Sequence, residues 1–188
     1  VSISGAVIRF GLDRSYRKTE VFTAGVATIM IGLVLLLFLM PLIGMVEELG
    51  NYLLLTYLYI MMSVFRTLCA QFVRSRGLVR FYAIDGIFST VMTIVFNVLF
   101  LLVFQWGVTG YLMATICADA CSVLFLFLFG GLGRYLKFHK LNRSVWAQML
   151  RFSIPMVPSS VFWWITTASD RYMIVYMLED GLAISGLY

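Results

Sequence analysis

Five long apolar runs constrain this chain more than any other feature of its sequence. A helix crosses a bilayer with about 20 apolar residues, and only helices and closed barrels satisfy their backbone groups in lipid. Each run is about twice as long as a barrel strand, so the sequence predicts an all-α, polytopic integral membrane bundle. The runs lie near residues 21–45, 52–73, 84–105, 108–131 and 152–178.

The composition excludes a soluble globular protein. Of the 188 residues, 62% are hydrophobic and 12% are charged, whereas a soluble domain carries about 25% charged residues. The runs leave no room for a separate extramembrane domain. Residues 1–8 are apolar but too short to span, so we interpret them as the end of a preceding helix. We therefore expect the chain to be an internal piece of a longer protein.

The basic residues alternate between loops. Twelve of the 14 Lys and Arg residues lie before the first run, between the second and third, and between the fourth and fifth. The loops 46–51 and 106–107 contain none. By the positive-inside rule the basic loops are cytoplasmic. The net charge of +5 thus reflects topology, and we expect no nucleic-acid partner.

The longest loop, 132–151, has an amphipathic pattern. Apolar residues recur at helical spacing with basic residues between them, which predicts a connector on the inner leaflet, in contact with membrane lipids. Ser144 is a candidate cap for its second half. A dedicated sensor of anionic lipid is the alternative. The single histidine, His139, is expected to be solvated. The apolar positions are Tyr135, Phe138, Leu141, Val145 and Met149.

Three consecutive runs carry polar stripes at helical spacing. A charged side chain at the bilayer centre costs at least about 2.5–3.5 kcal/mol, so it normally faces a bundle interior or a wet cavity. We predict a shared polar interior, with Asp119 near mid-membrane and Arg66 and Asp85 closer to the cytoplasm. The alternative is that these charges only pair with one another and that the hydroxyls serve packing. The stripes are Thr56, Ser63, Arg66, Thr67 and Gln71; Asp85, Ser89, Thr93 and Asn97; and Tyr111, Thr115, Asp119 and Ser122.

Sequence patterns typical of catalysis are absent. The chain has no His cluster, no Ser/His/Asp set and no Gly-rich phosphate loop, which are the usual signatures of enzymes. Cys117 and Cys121 share a helix face, but no third ligand accompanies them, and zinc sites need three or four. We therefore predict a protein that is not an enzyme and has no metal site and no cofactor.

The fifth run resembles a known family. It begins with PheSerIleProMetValProSerSer (152–160), reaches AspArgTyr (170–172) and is followed by GlyLeuTyr (186–188). These motifs resemble the seventh helix and following turn of the polysaccharide-biosynthesis, or O-antigen (Wzx-type), flippases of the multidrug/oligosaccharidyl-lipid/polysaccharide exporter superfamily. Weaker resemblances lie at AlaValIleArgPhe (6–10), at Arg74, Gly77 and TyrAla (82–83), and at Asn97.

The resemblance implies a domain organisation and a function. Residues 1–131 would be helices two to six of the first of two six-helix lobes, without its first helix. Residues 132–151 would be the cytoplasmic interlobe linker, and 152–188 the start of the second lobe. The family flips undecaprenyl-diphosphate-linked oligosaccharides across the bacterial inner membrane by alternating access, for lipopolysaccharide and other surface polysaccharides, without chemistry on the substrate.

Under this resemblance, polar and aromatic residues within the spans are the candidate site residues. Two basic residues would contact diphosphate or acidic sugars, two tryptophans would stack on sugar rings, and three acids would balance charge or couple transport to a proton or sodium ion. Further polar residues would line the cavity. The alternatives are a cation-coupled multidrug exporter of the same superfamily, a membrane glycan polymerase or ligase, or a structural subunit. The two basic residues are Arg66 and Arg171, and the two tryptophans are Trp163 and Trp164. The three acids are Asp85, Asp119 and Asp170, and the further cavity-lining residues are Ser89, Thr93, Asn97 and Thr115.

Overall fold

The described part of the chain is helical throughout. The computed structural model describes residues 2–13, 15–43, 52–136 and 142–177. The predicted all-α class is confirmed for these residues. The helices are α1 (Ser2–Leu12), α2 (Lys18–Ile43), α3 (Leu53–Ser75), α4 (Val79–Asn97), α5 (Gly107–Gly130), α6 (Arg143–Ser153) and α7 (Met156–Met177).

Four of these helices are long and apolar enough to cross a membrane. They correspond to the first four apolar runs, and most of their ends lie within about five residues of the predicted limits. Large apolar side chains such as Phe38, Leu102 and Leu128 project outward from them, as a lipid-facing surface requires. The candidate spans, which identify a multi-pass membrane protein, are Lys18–Met40, Leu53–Ser75, Val79–Val103 and Gly107–Gly130.

The fifth apolar run is divided differently from the prediction. Its first residues belong to α6, the chain turns at Ile154 and Pro155, and α7 begins only at Met156. Pro155 has no N–H to donate to a carbonyl of α6, so the helical hydrogen bonds stop there, although Ile154 before it keeps helical backbone angles. Pro158 lies in the first turn of α7, where an N–H would have no helical partner. Among the described residues, α7 is not one of the four candidate spans.

A tight contact joins α2 to α1 and α3. A Cβ atom on Gly25 would lie 2.9 Å from Leu68 Cδ1 and 3.0 Å from Val7 Cγ2. Close by, the buried Phe22 and Phe72 rings lie 4.4 Å apart between centroids. Small residues let membrane helices approach in this way. On the other side of α3, α5 packs against both α3 and α4, so α3 is the central helix.

The three basic loops lie at the same end of the bundle. Arg76, which follows α3, donates a 2.6 Å hydrogen bond to the Gly130 carbonyl at the end of α5 and stacks 4.7 Å from the Tyr135 ring centroid. The Tyr16 hydroxyl, which precedes α2, donates a 2.7 Å bond to Gln148 Oε1 of α6. This common end agrees with the topology that the positive-inside rule predicts.

The helix expected in the second half of the amphipathic connector is present as α6. Helix α6 buries Val145 and Met149 against the bundle, and Trp146 Nε1 donates a 2.9 Å hydrogen bond to Thr28 Oγ1. The expected cap at Ser144 is wrong. Asn142 is the cap, because its backbone is extended and its side chain accepts a hydrogen bond from the Ser144 N–H. Phe138, His139 and Leu141 lie outside the described residues.

Candidate functional site

Charged residues of three spans meet in one hydrogen-bonded cluster. Arg66 Nη1 of α3 donates to Asp119 Oδ1 of α5 at 3.3 Å, and Arg66 Nε donates to Ser122 Oγ at 3.1 Å. The Ser122 hydroxyl in turn donates to Asp85 Oδ1 of α4 at 2.6 Å. We call these four residues the charge cluster. It ties α3, α4 and α5 together through side chains alone.

The charge cluster lies within three of the candidate spans. At about 1.5 Å of rise per residue, Asp85 is about 9 Å, Arg66 about 14 Å and Asp119 about 17 Å from the helix ends that carry the basic loops. A bilayer core is about 30 Å thick. The cluster therefore lies in the half of these spans nearer the basic loops, and Asp119 is the deepest of the three charges.

The cluster is buried and its charges do not balance. Asp85 is 1% exposed, Asp119 is 4% exposed and Ser122 is fully buried, whereas the Arg66 side chain is 30% exposed. Within the described residues, one guanidinium therefore faces two carboxylates. An unbalanced buried charge is costly, and a protein normally neutralises it. One bound proton or one small cation makes the cluster neutral.

Two further side chains of α3 border the cluster. Ser63, one turn before Arg66 on α3, also interacts with Asp119. The buried Cys69 thiol lies near Asp85. Sequence reasoning did not select Ser122 as a site residue, although it bridges the two halves of the cluster. Its position three residues after Asp119, on the same helix face, was the available signal.

The predicted cavity-lining residues differ in their burial and in their hydrogen bonds. Ser89 is buried one turn from Asp85 and extends the polar face of α4. The hydroxyls of Thr93 and Thr115 instead donate to carbonyls of their own helices, at 2.9 and 3.0 Å. Asn97 Oδ1 is buried and has no hydrogen-bond partner among the described residues. It lies where α4 passes into the π-helical turn Val98–Val103.

Trp163 and Trp164, the predicted site residues of α7 whose side chains are described, are not joined to the charge cluster. Trp163 is 73% exposed and Trp164 is 66% exposed, so neither ring is packed in the described bundle. Helix α7 packs mainly against α1 and α6. The side chains of Asp170 and Arg171 lie outside the described residues, and the roles predicted for them stay predictions.

Among the described residues, no group of three or more His, Cys, Asp or Glu side chains is placed to hold a metal ion. Cys117 and Cys121 are free thiols. The chemistry that the site offers is therefore that of a partly exposed guanidinium, two buried carboxylates and the hydroxyls between them. Such groups bind anions, exchange protons and hold small cations.

Two cavities lie where α3 packs against α1 and α2. One is an apolar groove of about 430 Å³ between α1, α2, α3 and the α6–α7 junction, lined by residues such as Leu36, Ile60 and Val157. The other is a smaller cavity of about 80 Å³ that includes Ser63. The two share Ile3, Ile29 and Val64 as walls.

No family model, no curated protein and no solved structure matches this chain.

Proposed function

We propose that this chain belongs to a membrane transporter that flips an undecaprenyl-diphosphate-linked oligosaccharide across the bacterial inner membrane for surface polysaccharide synthesis. The transporter alternates access between the two sides and does no chemistry on its substrate. The observation that carries the proposal is the charge cluster, in which Arg66, Asp85 and Asp119 meet within the membrane.

The cluster favours transport over a scaffolding role. Buried ion pairs contribute little to stability, because desolvation offsets their attraction. Helices in lipid associate well through small residues and van der Waals packing, as α2 does at Gly25. Ionisable residues inside a membrane are accordingly rare and usually serve a substrate, proton or ion pathway.

Arg66 suits contact with a diphosphate. A guanidinium has five N–H donors, and the two hydrogen bonds to Asp119 and Ser122 leave others unused. Its side chain is 30% exposed, so an anionic group has access to it. A diphosphate that approached Arg66 would compete with Asp119, and the carboxylate it displaced would need a proton or sodium ion. Substrate binding and ion binding would then be linked at one site.

The sequence resemblance supplies the substrate class in this proposal. The motifs at 152–160, 170–172 and 186–188 suggest a flippase for lipid-linked oligosaccharides, with 132–151 as the linker between two lobes. In the described residues the π-helical turn Val98–Val103 that follows α4 is joined to α5 by three residues, 104–106. A glycan polymerase or ligase would need long, charged outer loops, so a flippase accounts for this connection more simply.

A cation-coupled drug exporter is the second candidate, and the apolar groove favours it. Small-molecule pockets are commonly about 300–1,000 Å³ and mostly apolar, and the groove of about 430 Å³ is lined chiefly by aliphatic side chains. An amphiphilic drug and a lipid tail both suit such a surface. Cells that lack the protein would lose surface glycan if it is a flippase, and drug resistance if it is a drug exporter.

The test is complementation of a bacterial strain in which the gene for the full-length protein is deleted. We expect wild-type protein to restore surface glycan, and Arg66→Ala to abolish display while the protein still reaches the membrane. Thr90→Val, which alters an exposed hydroxyl on α4, is the matched control and should restore display fully. Normal display by both Arg66→Ala and Arg171→Ala would remove these residues from the mechanism. Normal glycan with lost drug resistance in the deletion strain would favour the exporter.

A further inference from the structure

A small cavity between α1, α2 and α3 has three hydroxyls among its mostly aliphatic walls. It measures about 80 Å³, whereas a single water needs only about 10–15 Å³ of such space. Its walls combine hydroxyls of α1 and α3 with aliphatic side chains: Ser4, Ser63 and Thr67, with Ile3, Ile29, Val64 and Leu68. A cavity of this size with several polar groups meets the conditions for internal water.

The hydroxyl chemistry of α3 favours water in this cavity. Thr67 Oγ1 donates its proton to the Ser63 carbonyl at 2.8 Å, so it offers only lone pairs to the cavity. One turn nearer the cytoplasm on the same helix face, Gln71 Oε1 is buried with no hydrogen-bond partner. Buried acceptors without a donor are costly, and water is the donor that fits between packed helices.

We propose that the cavity between α1, α2 and α3 is a water-binding site beside the charge cluster, held by Ser63 and Thr67. A water there donates to the Thr67 oxygen and bonds to the Ser63 hydroxyl. Ser63 also interacts with Asp119, so one side chain separates this water from the Asp119 carboxylate.

Asp85 has a different set of neighbours. It accepts the Ser122 hydroxyl bond at 2.6 Å and lies near the Cys69 thiol. The ionisable side chains that face it are Arg66 and Cys69 from α3 and Asp119 from α5. None of these neighbours lines the cavity, so the proposed water lies on the Ser63 side of the cluster.

Helix α1 packs closely against α3 near the basic end of the bundle. A Cβ atom on Gly11 would lie 2.7 Å from Ser75 Cβ, so the backbone of α1 is in close contact with the end of α3. The inference concerns the same Asp119 site on which the proposed function rests. It is tested by water contact rather than by transport, so the two proposals can fail separately.

Radiolytic footprinting in lipid nanodiscs tests the inference on the full-length protein. Hydroxyl radicals formed from bound water oxidise the side chains beside it. Leu68 and Leu126 are both fully buried leucines, but only Leu68 lines the cavity. We expect Leu68 to be oxidised several-fold faster than Leu126. Equal, slow oxidation of the two leucines would show a dry cavity and overturn the proposal.

A variant separates bound water from other sources of radicals. In Ser63→Ala/Thr67→Val the two hydroxyls of α3 are lost at nearly constant volume. We expect Leu68 oxidation to fall toward that of Leu126, with unchanged labelling elsewhere as the check of folding. Undiminished Leu68 oxidation in a folded variant would contradict a water held by these hydroxyls. If the variant misfolds, the comparison of Leu68 with Leu126 in wild-type protein remains decisive.

Discussion

The excess of carboxylates in the charge cluster makes an asymmetric prediction about its variants. Arg66→Met removes the only cation and leaves Asp85 and Asp119 buried together. Asp85→Asn removes one negative charge, leaves Arg66 balanced by Asp119, and keeps an oxygen that can accept the Ser122 hydroxyl bond. We therefore expect the first variant to be destabilised and the second to be nearly as stable as wild type.

The magnitudes follow from burial. Removing one partner of a buried ion pair costs about 3–5 kcal/mol. The Arg66 side chain is 30% exposed, and solvent screening reduces the expected cost to about 2–3 kcal/mol. For Asp85→Asn the loss is one hydrogen bond exchanged for a similar one, below about 1 kcal/mol. The two variants should differ by at least about 1 kcal/mol.

The free energy of unfolding can be measured by denaturant titration of purified protein in mixed micelles. Thr90→Val on the exposed face of α4 is the matched control and should unfold like wild type. In Arg66→Met a carboxylate that has lost its cation can take up a proton. The loss in free energy of unfolding should therefore become smaller between pH 7 and pH 5, because the free energy of protonation changes by about 1.4 kcal/mol per pH unit. Equal destabilisation by Arg66→Met and Asp85→Asn would refute the charge-imbalance argument.

Two further predictions test the fold. Gly25→Ala places a methyl group 2.9 Å from a neighbouring side-chain carbon and should lower the free energy of unfolding by about 1–3 kcal/mol, whereas Gly32→Ala, with no atom within 4 Å, should not in the same titration. A cysteine at Arg80 should react with an impermeant thiol reagent only from the cytoplasmic side, and one at Gln105 only from the outer side. Labelling of both from one side would overturn the topology.

Much of the fold was predictable because lipid simplifies the problem. Apolar runs must be helices in a bilayer, so α2 to α5 follow from hydropathy, and their direction follows from the basic loops. The boundary at Ile154–Pro155 was harder. Phe152 and Ser153 end α6, and the apolar run alone does not separate them from α7. Pro155 marked the break, but the packing of Val145 and Met149 of α6 on the bundle is a tertiary property.

The charge cluster was only partly predictable. Helical periodicity places Asp85, Asp119 and Arg66 on polar faces, but it does not state which faces meet. The bridge through Ser122 depends on the close packing of α5 against both α3 and α4, which is a tertiary property. Thr93 and Thr115 had the same periodic signal but bond to their own helices, because a threonine can satisfy its hydroxyl locally.

Reconstituted translocation measures the central claim most directly. Full-length protein is placed in liposomes with a fluorescent undecaprenyl-diphosphate-linked oligosaccharide, and its arrival in the opposite leaflet is followed with a membrane-impermeant glycosidase. The account predicts translocation by wild-type protein and by Thr90→Val, and its loss in Arg66→Ala. No translocation above protein-free liposomes by wild-type protein, or undiminished translocation by folded Arg66→Ala, would contradict the account.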